Sequence, residues 1–339
     1  CDILIMRGEY MKKGYRNKIT DVKGVRVGHK TIAADNVQTG VTVILPTEGD
    51  IFREKLTASC HVINGFGKTG GLIQLEELGV LESPIALTNT LCVGTVQQAL
   101  VRYMLQDHPE IGTTSGTVNV VVGECNDGYL NDIRACSIQE SNVYEAIADA
   151  GKDFALGAVG AGRGMSCFEM KGGIGSASRV LELNGEEYTV GLLVLSNFGL
   201  KNDYIKENVS FHDSVKEQVE QGSIIIILAT DIPMSDRQLK RVCKRMPVAL
   251  ARLGSHRGNG SGDIAIAFST ANKIPHSADC SFISQTILHE QQIDKVFRAG
   301  IEACEEAIQS SLDAAETVVG REGHCRYSLK DTVAKMKKG

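Results

Sequence analysis

The sequence predicts an α+β fold with two sheets packed between helical layers, a four-layer αββα sandwich, and three patterns lead there. Short apolar runs rich in β-branched residues end at glycines, four longer stretches carry helical periodicity, and few segments alternate as strand, helix, strand. With 36 glycines, 6 prolines and no tryptophan, the chain reads as strand-and-turn punctuation rather than a helical bundle. Strands are predicted over residues 25–29, 40–45, 84–89, 118–123, 188–196, 223–230 and 263–270. Many are apolar on both faces, as strands of a covered sheet must be. Helices are predicted over 95–104, 142–150, 235–251 and 292–317. The last is the clearest, because Phe297, Ile301, Cys304, Ile308, Leu312 and Ala315 recur every three or four residues along one face. Ser235 is a good N-cap for the helix before it, and Lys240, Arg241, Lys244 and Arg245 read as its solvated face. The polar stretch 199–222 reads as an insertion, and no repeat or flexible linker divides the chain, so one domain over residues 1–339 is expected.

Composition narrows the function. At 339 residues and 42% hydrophobic content the chain can fill a sizeable core. A net charge of -5 and a pI near 6.0 offer no attraction for nucleic acid. No window approaches the roughly 18 consecutive apolar residues of a membrane span, so a soluble protein is expected. The ten cysteines are scattered without a Cys-x-x-Cys pair, which speaks against zinc and redox motifs and for a reducing cytoplasm. Cys1 in place of an initiator methionine suggests a trimmed start. Asn208-Val209-Ser210 matches a glycosylation sequon, which is idle inside a cell. The eight histidines show no metal-ligand spacing, so no metal and no cofactor are expected.

The chemistry concentrates in a few places. Asn259-Gly260-Ser261-Gly262-Asp263 sets a hydroxyl between glycines at the start of the strand-like run Ile264 to Thr270. If the bond before Ser261 were cut, its hydroxyl and a new α-amine would share one residue, nucleophile and base together. An unperturbed α-amine titrates at roughly 7.7–8.0, close to neutral pH, which suits a general base. The plainer reading is a hairpin turn, for which Asn-Gly is a strong signal.

Elsewhere, Glu124 to Asp132 gathers polar groups, Asp127 and Tyr129 among them, at a strand end where sites are assembled, although an Asx-rich turn would look the same. Asn197 ends another strand and offers a neutral amide donor for an oxyanion. Asp231 ends a third, where an N-cap is an equal reading. On the last helix Glu305 borders the apolar stripe, whereas Glu306 turns outward to water. The glycine-rich stretch 157–176 lacks the ending of a P-loop and reads better as close approach of backbone to substrate. His256 lies near Ser261 in sequence, but five residues of loop do not make a serine-histidine pair.

With Ser261 in its glycine setting, the chain resembles the self-processing L-aminopeptidase/D-amidase/D-esterase family, which includes the β-peptidyl aminopeptidases. The resemblance runs nearly end to end through ordered blocks: Ile19 to His29, Asn64-Gly65-Phe66-Gly67-Lys68, Glu124 to Arg134, Phe168 to Gly175, Ser196-Asn197-Phe198-Gly199, Ala229-Thr230-Asp231 and Asn259 to Asp263. It implies a sandwich like that of the N-terminal-nucleophile hydrolases with different strand connectivity. It also implies a precursor that cuts itself between Gly260 and Ser261 into an α-chain, 1–260, and a β-chain, 261–339. Ser261 would then be the nucleophile, Asn197 the oxyanion donor and Glu305 an acidic partner of the hydroxyl or amine. The family pairs that acid with a nearby hydroxyl, yet Ala303 and Cys304 stand here, so Ser281 or Ser284 is expected to supply it. Glu124 or Asp127 would anchor the substrate's amino group, with Tyr129 lining the same pocket. The substrate would be a small peptide, amide or ester with a free N-terminal amine, and the assembly a homotetramer. Two rivals remain: an ornithine acetyltransferase-like transferase of the same fold, for which threonine is the usual nucleophile, and a non-enzymatic α/β protein holding a phosphate ligand in the 157–175 stretch.

Overall fold

A computed structural model describes residues 11–206, 211, 221–279 and 281–336. Most of the stretch expected as an insertion, and the sequon at Asn208, lie outside the described residues.

Two main sheets are stacked. The four-stranded sheet has the order β1 (Arg26–Ala34), β2 (Val37–Leu45), β5 (Ile85–Asn89), β6 (Val121–Cys125). The six-stranded sheet has the order β4 (Val80–Leu81), β3 (Glu54–Gly65), β12 (Gly260–Pro275), β11 (Gln221–Thr230), β10 (Glu186–Asn197), β9 (Gly173–Leu183). Two small ribbons, β7 (Ser166–Cys167) with β8 (Met170–Lys171) and β13 (Val318–Val319) with β14 (Cys325–Arg326), complete the strands. Pairing is antiparallel except between β5 and β6 and between β11 and β12.

Helices α2 (Val93–Asp107) and α3 (Glu140–Ala148) cover the outer face of the four-stranded sheet, after the short α1 (Leu72–Glu77). Helices α4 (Asp236–Cys243), α5 (Pro247–Arg252) and α6 (Ile293–Asp313) cover the six-stranded sheet, and α7 (Leu329–Met336) packs on α6. The four layers are thus helix, sheet, sheet, helix, as the sequence predicts.

Side-chain alternation explains why β11 and β12 lie in the middle. Ile225, Ile227 and Ala229 face the other sheet, while Ile224, Ile226 and Leu228 face the helices. On β12, Ile264, Ile266 and Phe268 point between the sheets, whereas the small Ala265 and Ala267 point to the helices. A strand buried on both faces has no polar side to lose.

All seven predicted strands exist, but two long ones, β3 and β9, were not legible. β3 opens on Glu54-Lys55 and carries Ser59, Cys60 and His61, so it lacks the β-branched run that signals a strand. β9 is built from small residues because α6 lies close upon it: a Cβ added at Gly175 would sit 1.9 Å from the Ala307 carbonyl oxygen. Glycines of the 157–176 stretch therefore serve backbone-to-backbone packing, not approach to a substrate. Gly173, at φ +141°, would bring a Cβ to 2.0 Å from the Gly157 oxygen, which leaves the stretch no open cradle for a phosphate.

The helix expected over 235–251 is two helices. Ser235 caps the first in a reciprocal box with Gln238, and Pro247, at the first turn of α5, cannot continue α4. Three of the four basic residues do more than face water. Lys240 pairs with Glu76 and Arg241 with Glu290, while the Arg241 and Arg245 guanidinium carbons lie 5.3 and 4.3 Å from the Phe297 ring centre. Asp231 caps no helix; its Oδ1 accepts the Thr189 N–H at 2.7 Å and ties the start of β10 to the end of β11.

Candidate active site

Strand ends of the two sheets meet at one edge of the sandwich and border a cleft of about 660 Å³. The four-stranded sheet supplies Thr90 after β5 and Glu124 and Asn126 at the end of β6. From the six-stranded sheet come Phe66 and Lys68 after β3, Asn197 at the end of β10, Gly222 and Ser223 on β11, and Gly260 at the start of β12. Tyr129, Ser166, Glu169 and Arg326 close the wall.

Ser261 lies just behind this surface. Asn259 and Gly260 line the cleft, whereas Ser261 is 1% exposed. Its Oγ donates a hydrogen bond to Asp263 Oδ1, since residues two apart on a strand project to the same side. The Ser261 carbonyl accepts from Asn64 Nδ2 and from the Phe66 N–H at 3.3 Å, and the Gly262 N–H donates to Ser223 Oγ at 3.1 Å. Nucleophile candidate and backbone are thereby held from both neighbouring strands.

Two glycines make this approach possible. A Cβ on Gly262 would fall 2.7 Å from Gly67, and one on Gly222, at φ +135°, would fall 2.1 Å from the Asn197 carbonyl oxygen. Any side chain at either position would push the floor of the cleft apart. The hairpin reading of Asn259-Gly260 fails because β12 follows α5 and pairs in parallel with β11, although Ser261 N–H does close a turn onto the Gly258 oxygen at 3.0 Å.

Asn197 is nearly buried and its amide is oriented. Oδ1 accepts the Ser166 N–H at 2.8 Å and Nδ2 donates to the Asn126 oxygen at 3.0 Å, which uses one of the two Nδ2 hydrogens. Glu124 accepts the Lys68 N–H at 2.7 Å on one oxygen and the Thr90 hydroxyl on the other, and no cation pairs with it among the described residues. Tyr129 stands in the wall, stacked on His324 with ring centres 4.7 Å apart. Asp127 is placed behind the wall, not in it: it is 1% exposed and holds Asn131 Nδ2 at 3.0 Å. Burial pushes its carboxyl up to about 6, against the hydrogen bonds from Thr39 and Asn131. The Asx reading of this segment also holds, since the Gly128 N–H donates to Asn126 Oδ1 at 2.9 Å. Turn and site coincide.

The wall opposite is braced by Lys171. Its ammonium is fully buried and donates to the carbonyls of Gly162, Met165 and Gly172 at 2.8, 2.8 and 2.7 Å, fastening the loop that carries Ser166. Burial holds this lysine well below the usual range. Phe168 and Glu169, at φ 49° and 57°, form the strained tip of the β7–β8 ribbon that turns Glu169 into the cleft.

Other expected partners fall elsewhere. Glu305 meets Arg252 Nη1 at 3.2 Å on the side of α6 facing α5 and is absent from the cleft wall; the acid that reaches Ser261 is Asp263. Glu306 does not turn to water, because Arg179 of β9 draws it in at 2.7 Å. Ser281 and Ser284 are exposed in the loop after β12, whose neighbouring residues Gln285 and Thr286 bond Thr57 and Asn272 at the opposite end of the sheet from Ser261. His256 faces Asp203 Oδ2 at 3.4 Å. Sequence reasoning missed Asp263, Asn64 and Ser223 as neighbours of Ser261. Strand periodicity could have found Asp263, whereas the others depend on which strands lie beside β12.

Residues 17–326 match the model of peptidase family S58. The β-peptidyl aminopeptidase BapA of Sphingosinicella microcystinivorans is 36% identical over 342 residues, 92% of this chain and 85% of that protein. Among solved structures, the PH0078 protein from Pyrococcus horikoshii OT3 superposes with a TM-score of 0.89 at 49% identity, over 97% of this chain and 96% of the other. The L-aminopeptidase D-Ala-esterase/amidase from Ochrobactrum anthropi, a prototype for the serine aminopeptidases and a new variant of the Ntn hydrolase fold, gives 0.87 at 32% identity, again over 97% and 96%. On this likeness, with its fold and a strand-borne serine behind the cleft, the chain belongs to peptidase family S58 and is an aminopeptidase.

Proposed function

We propose that the chain cuts itself between Gly260 and Ser261 and that Ser261, as a new N-terminus, is the nucleophile of an aminopeptidase acting on small peptides, amides or esters. The observation that carries this reading is that Asn259 and Gly260 line the cleft in front of a buried Ser261, whose hydroxyl is bound to Asp263. In the uncut chain no substrate can reach that hydroxyl. Cutting turns the obstruction into an entrance.

Ser261 Oγ attacks the Gly260 carbonyl carbon, the C–N bond breaks, and the nitrogen leaves as the Ser261 α-amine with the hydroxyl's proton. Water then opens the Gly260 ester, leaving a carboxylate and the free hydroxyl. In turnover the same oxygen attacks the substrate's N-terminal acyl carbon, the α-amine takes its proton and returns it to the leaving amine, and water releases the amino acid. Asp263 orients the hydroxyl. The remaining Nδ2 hydrogen of Asn197 serves the oxyanion, Glu124 receives the substrate's ammonium group, and Tyr129 walls the cleft. Both products of the cut stay together, because β12 and α6 belong to the β-chain and removing them would expose the core.

We read the protein as cytoplasmic and homo-oligomeric. The eight cysteines of the described residues form no disulfide with one another and six of them are buried, which fits a reducing compartment. No helix among the described residues is long and apolar enough to cross a membrane. Intact-mass analysis of wild type and Ser261→Ala tests the mechanism: two fragments are expected from the first and one uncut, inactive chain from the second. An uncut wild type that hydrolyses peptides would end the proposal.

A further inference from the structure

We propose that Arg326 binds the free C-terminal carboxylate of the substrate, so that among its substrates the enzyme favours very short, zwitterionic peptides, dipeptides above all. The inference rests on the aminopeptidase reading of the cleft and adds to it the residue that measures substrate length.

The guanidinium of Arg326 lines the cleft and is held flat, its carbon 3.6 Å from the centre of the Tyr129 ring, which is itself backed by His324. Its Nε donates to Ser166 Oγ at 3.1 Å. These contacts set the plane and rotation of the group while leaving both terminal nitrogens without a hydrogen-bond partner among the described residues. Glu169 lies in the same wall and its charge is felt by Arg326, yet its Oε2 accepts the Lys201 N–H and it forms no ion pair with the guanidinium. A planar cation with its paired N–H edge open is the donor set that receives a carboxylate in two parallel bonds.

Position completes the argument. Ser166, which holds Arg326, also donates its N–H to Asn197, so the cation stands one residue from the amide assigned to the oxyanion. Glu124 stands beyond Asn126, whose carbonyl holds the other side of Asn197, and reaches the backbone of Lys68 next to Gly67. The cleft therefore offers an anion without a paired cation on one side of the reacting centre and a cation without a paired anion on the other. A molecule with an ammonium at one end, a carboxylate at the other and a single acyl bond between satisfies both. Lys68 is the other cation of the wall, but its ammonium is engaged by the Phe66 carbonyl at 2.6 Å and lies 4.1 Å from the Phe66 ring centre.

The test uses processed wild type, Arg326→Met, Arg326→Lys and Lys68→Met, with Ala-Ala and β-Ala-Ala supplied as free acids and as C-terminal amides. Wild type should favour the free acid by roughly 10- to 100-fold in kcat/KM, the range of a charged hydrogen-bonded contact. That preference should appear in KM, vanish in Arg326→Met, return only in part in Arg326→Lys and persist in Lys68→Met, read in each variant as its own acid-to-amide ratio so that a loss common to both substrates cancels. Equal use of acid and amide by wild type, or a preference that survives Arg326→Met or disappears in Lys68→Met, overturns the assignment. Failure of the aminopeptidase reading would show instead as no hydrolysis of either form. Calorimetric binding of acid and amide to wild type and Arg326→Met would then decide the role of Arg326 by the same preference.

Discussion

The cleft and the seam between α6 and the six-stranded sheet both take charge out of water, and they treat it in opposite ways. Under α6, Arg179 is 1% exposed, yet Glu306 meets it at 2.7 Å and Glu302 at 3.5 Å. Glu302 is met in turn by Arg298 at 2.8 Å, Glu306 by Lys13 at 2.6 Å, and Glu305 by Arg252 at 3.2 Å. In the cleft, Glu124 has no cationic partner and Arg326 no anionic one among the described residues. Seam charges are spent on one another, whereas cleft charges stand ready for something else. Buried charge alone does not mark a site; charge left without a counter-charge does.

The sharpest way to break this contrast is to unpair the seam. Arg179→Met removes the buried cation that Glu302 and Glu306 share, leaves them only Arg298 and Lys13, and should lower stability by up to about 3–5 kcal/mol, the cost of removing one partner of a buried pair. Because Arg179 touches nothing in the cleft, kcat per folded molecule should not change. Denaturant titration alongside active-site-normalised rates checks both halves, and a normal stability with a lost kcat would reverse the assignment of the two regions.

Asp127 gives the next effect, and a pH sign. Its folded pKa is raised from 3.8 to about 6, chiefly by burial. Below pH 3.8 the carboxyl is protonated in both folded and unfolded chains, so the folded state keeps its full advantage there. As pH climbs towards 6 the unfolded chain releases the proton first, and stability falls by up to about 3 kcal/mol. Asp127→Asn, a neutral near-isostere, should remove that loss. The variant's unfolding free energy should therefore rise relative to wild type between pH 4 and 6.5 by about 3 kcal/mol at most; parallel profiles would mean that the carboxyl titrates as if exposed.

The same contrast explains what was legible in the sequence. β11 and β12 announce themselves because both faces are buried, and Ile224 to Leu228 reads as a strand from residue types alone. Ser261 is visible because Gly260 and Gly262 sit beside it, and the end-to-end likeness to a known family makes Asn197 and Glu124 findable. β9 stays hidden, since Gly175 answers to the Ala307 carbonyl of a helix more than 130 residues away in sequence. Glu305 and Glu306 mislead for a related reason: a helical projection tells which side of α6 they occupy, but not that Arg252 and Arg179 wait there. Periodicity reports burial, and the partner's identity comes only from tertiary structure.

Arg245 carries the smallest effect and tests the reading of α4 and α5. A solvated basic face would tolerate neutralisation without cost, and that is what the sequence alone suggests for 240–245. The guanidinium carbon of Arg245, however, lies 4.3 Å from the Phe297 ring centre, with Arg241 on the same ring at 5.3 Å. A cation held over an aromatic face at a partly exposed site contributes about 0.5–1 kcal/mol. Arg245→Gln should therefore cost that amount in chemical denaturation and leave turnover unchanged, while Phe297→Leu should remove the penalty of a subsequent Arg245→Gln by taking away the ring. A double-mutant cycle reads the coupling directly. Zero coupling would return the run to a solvated face; a coupling of the expected size would place it with the seam, as charge employed in packing and without a part in the chemistry of the cleft.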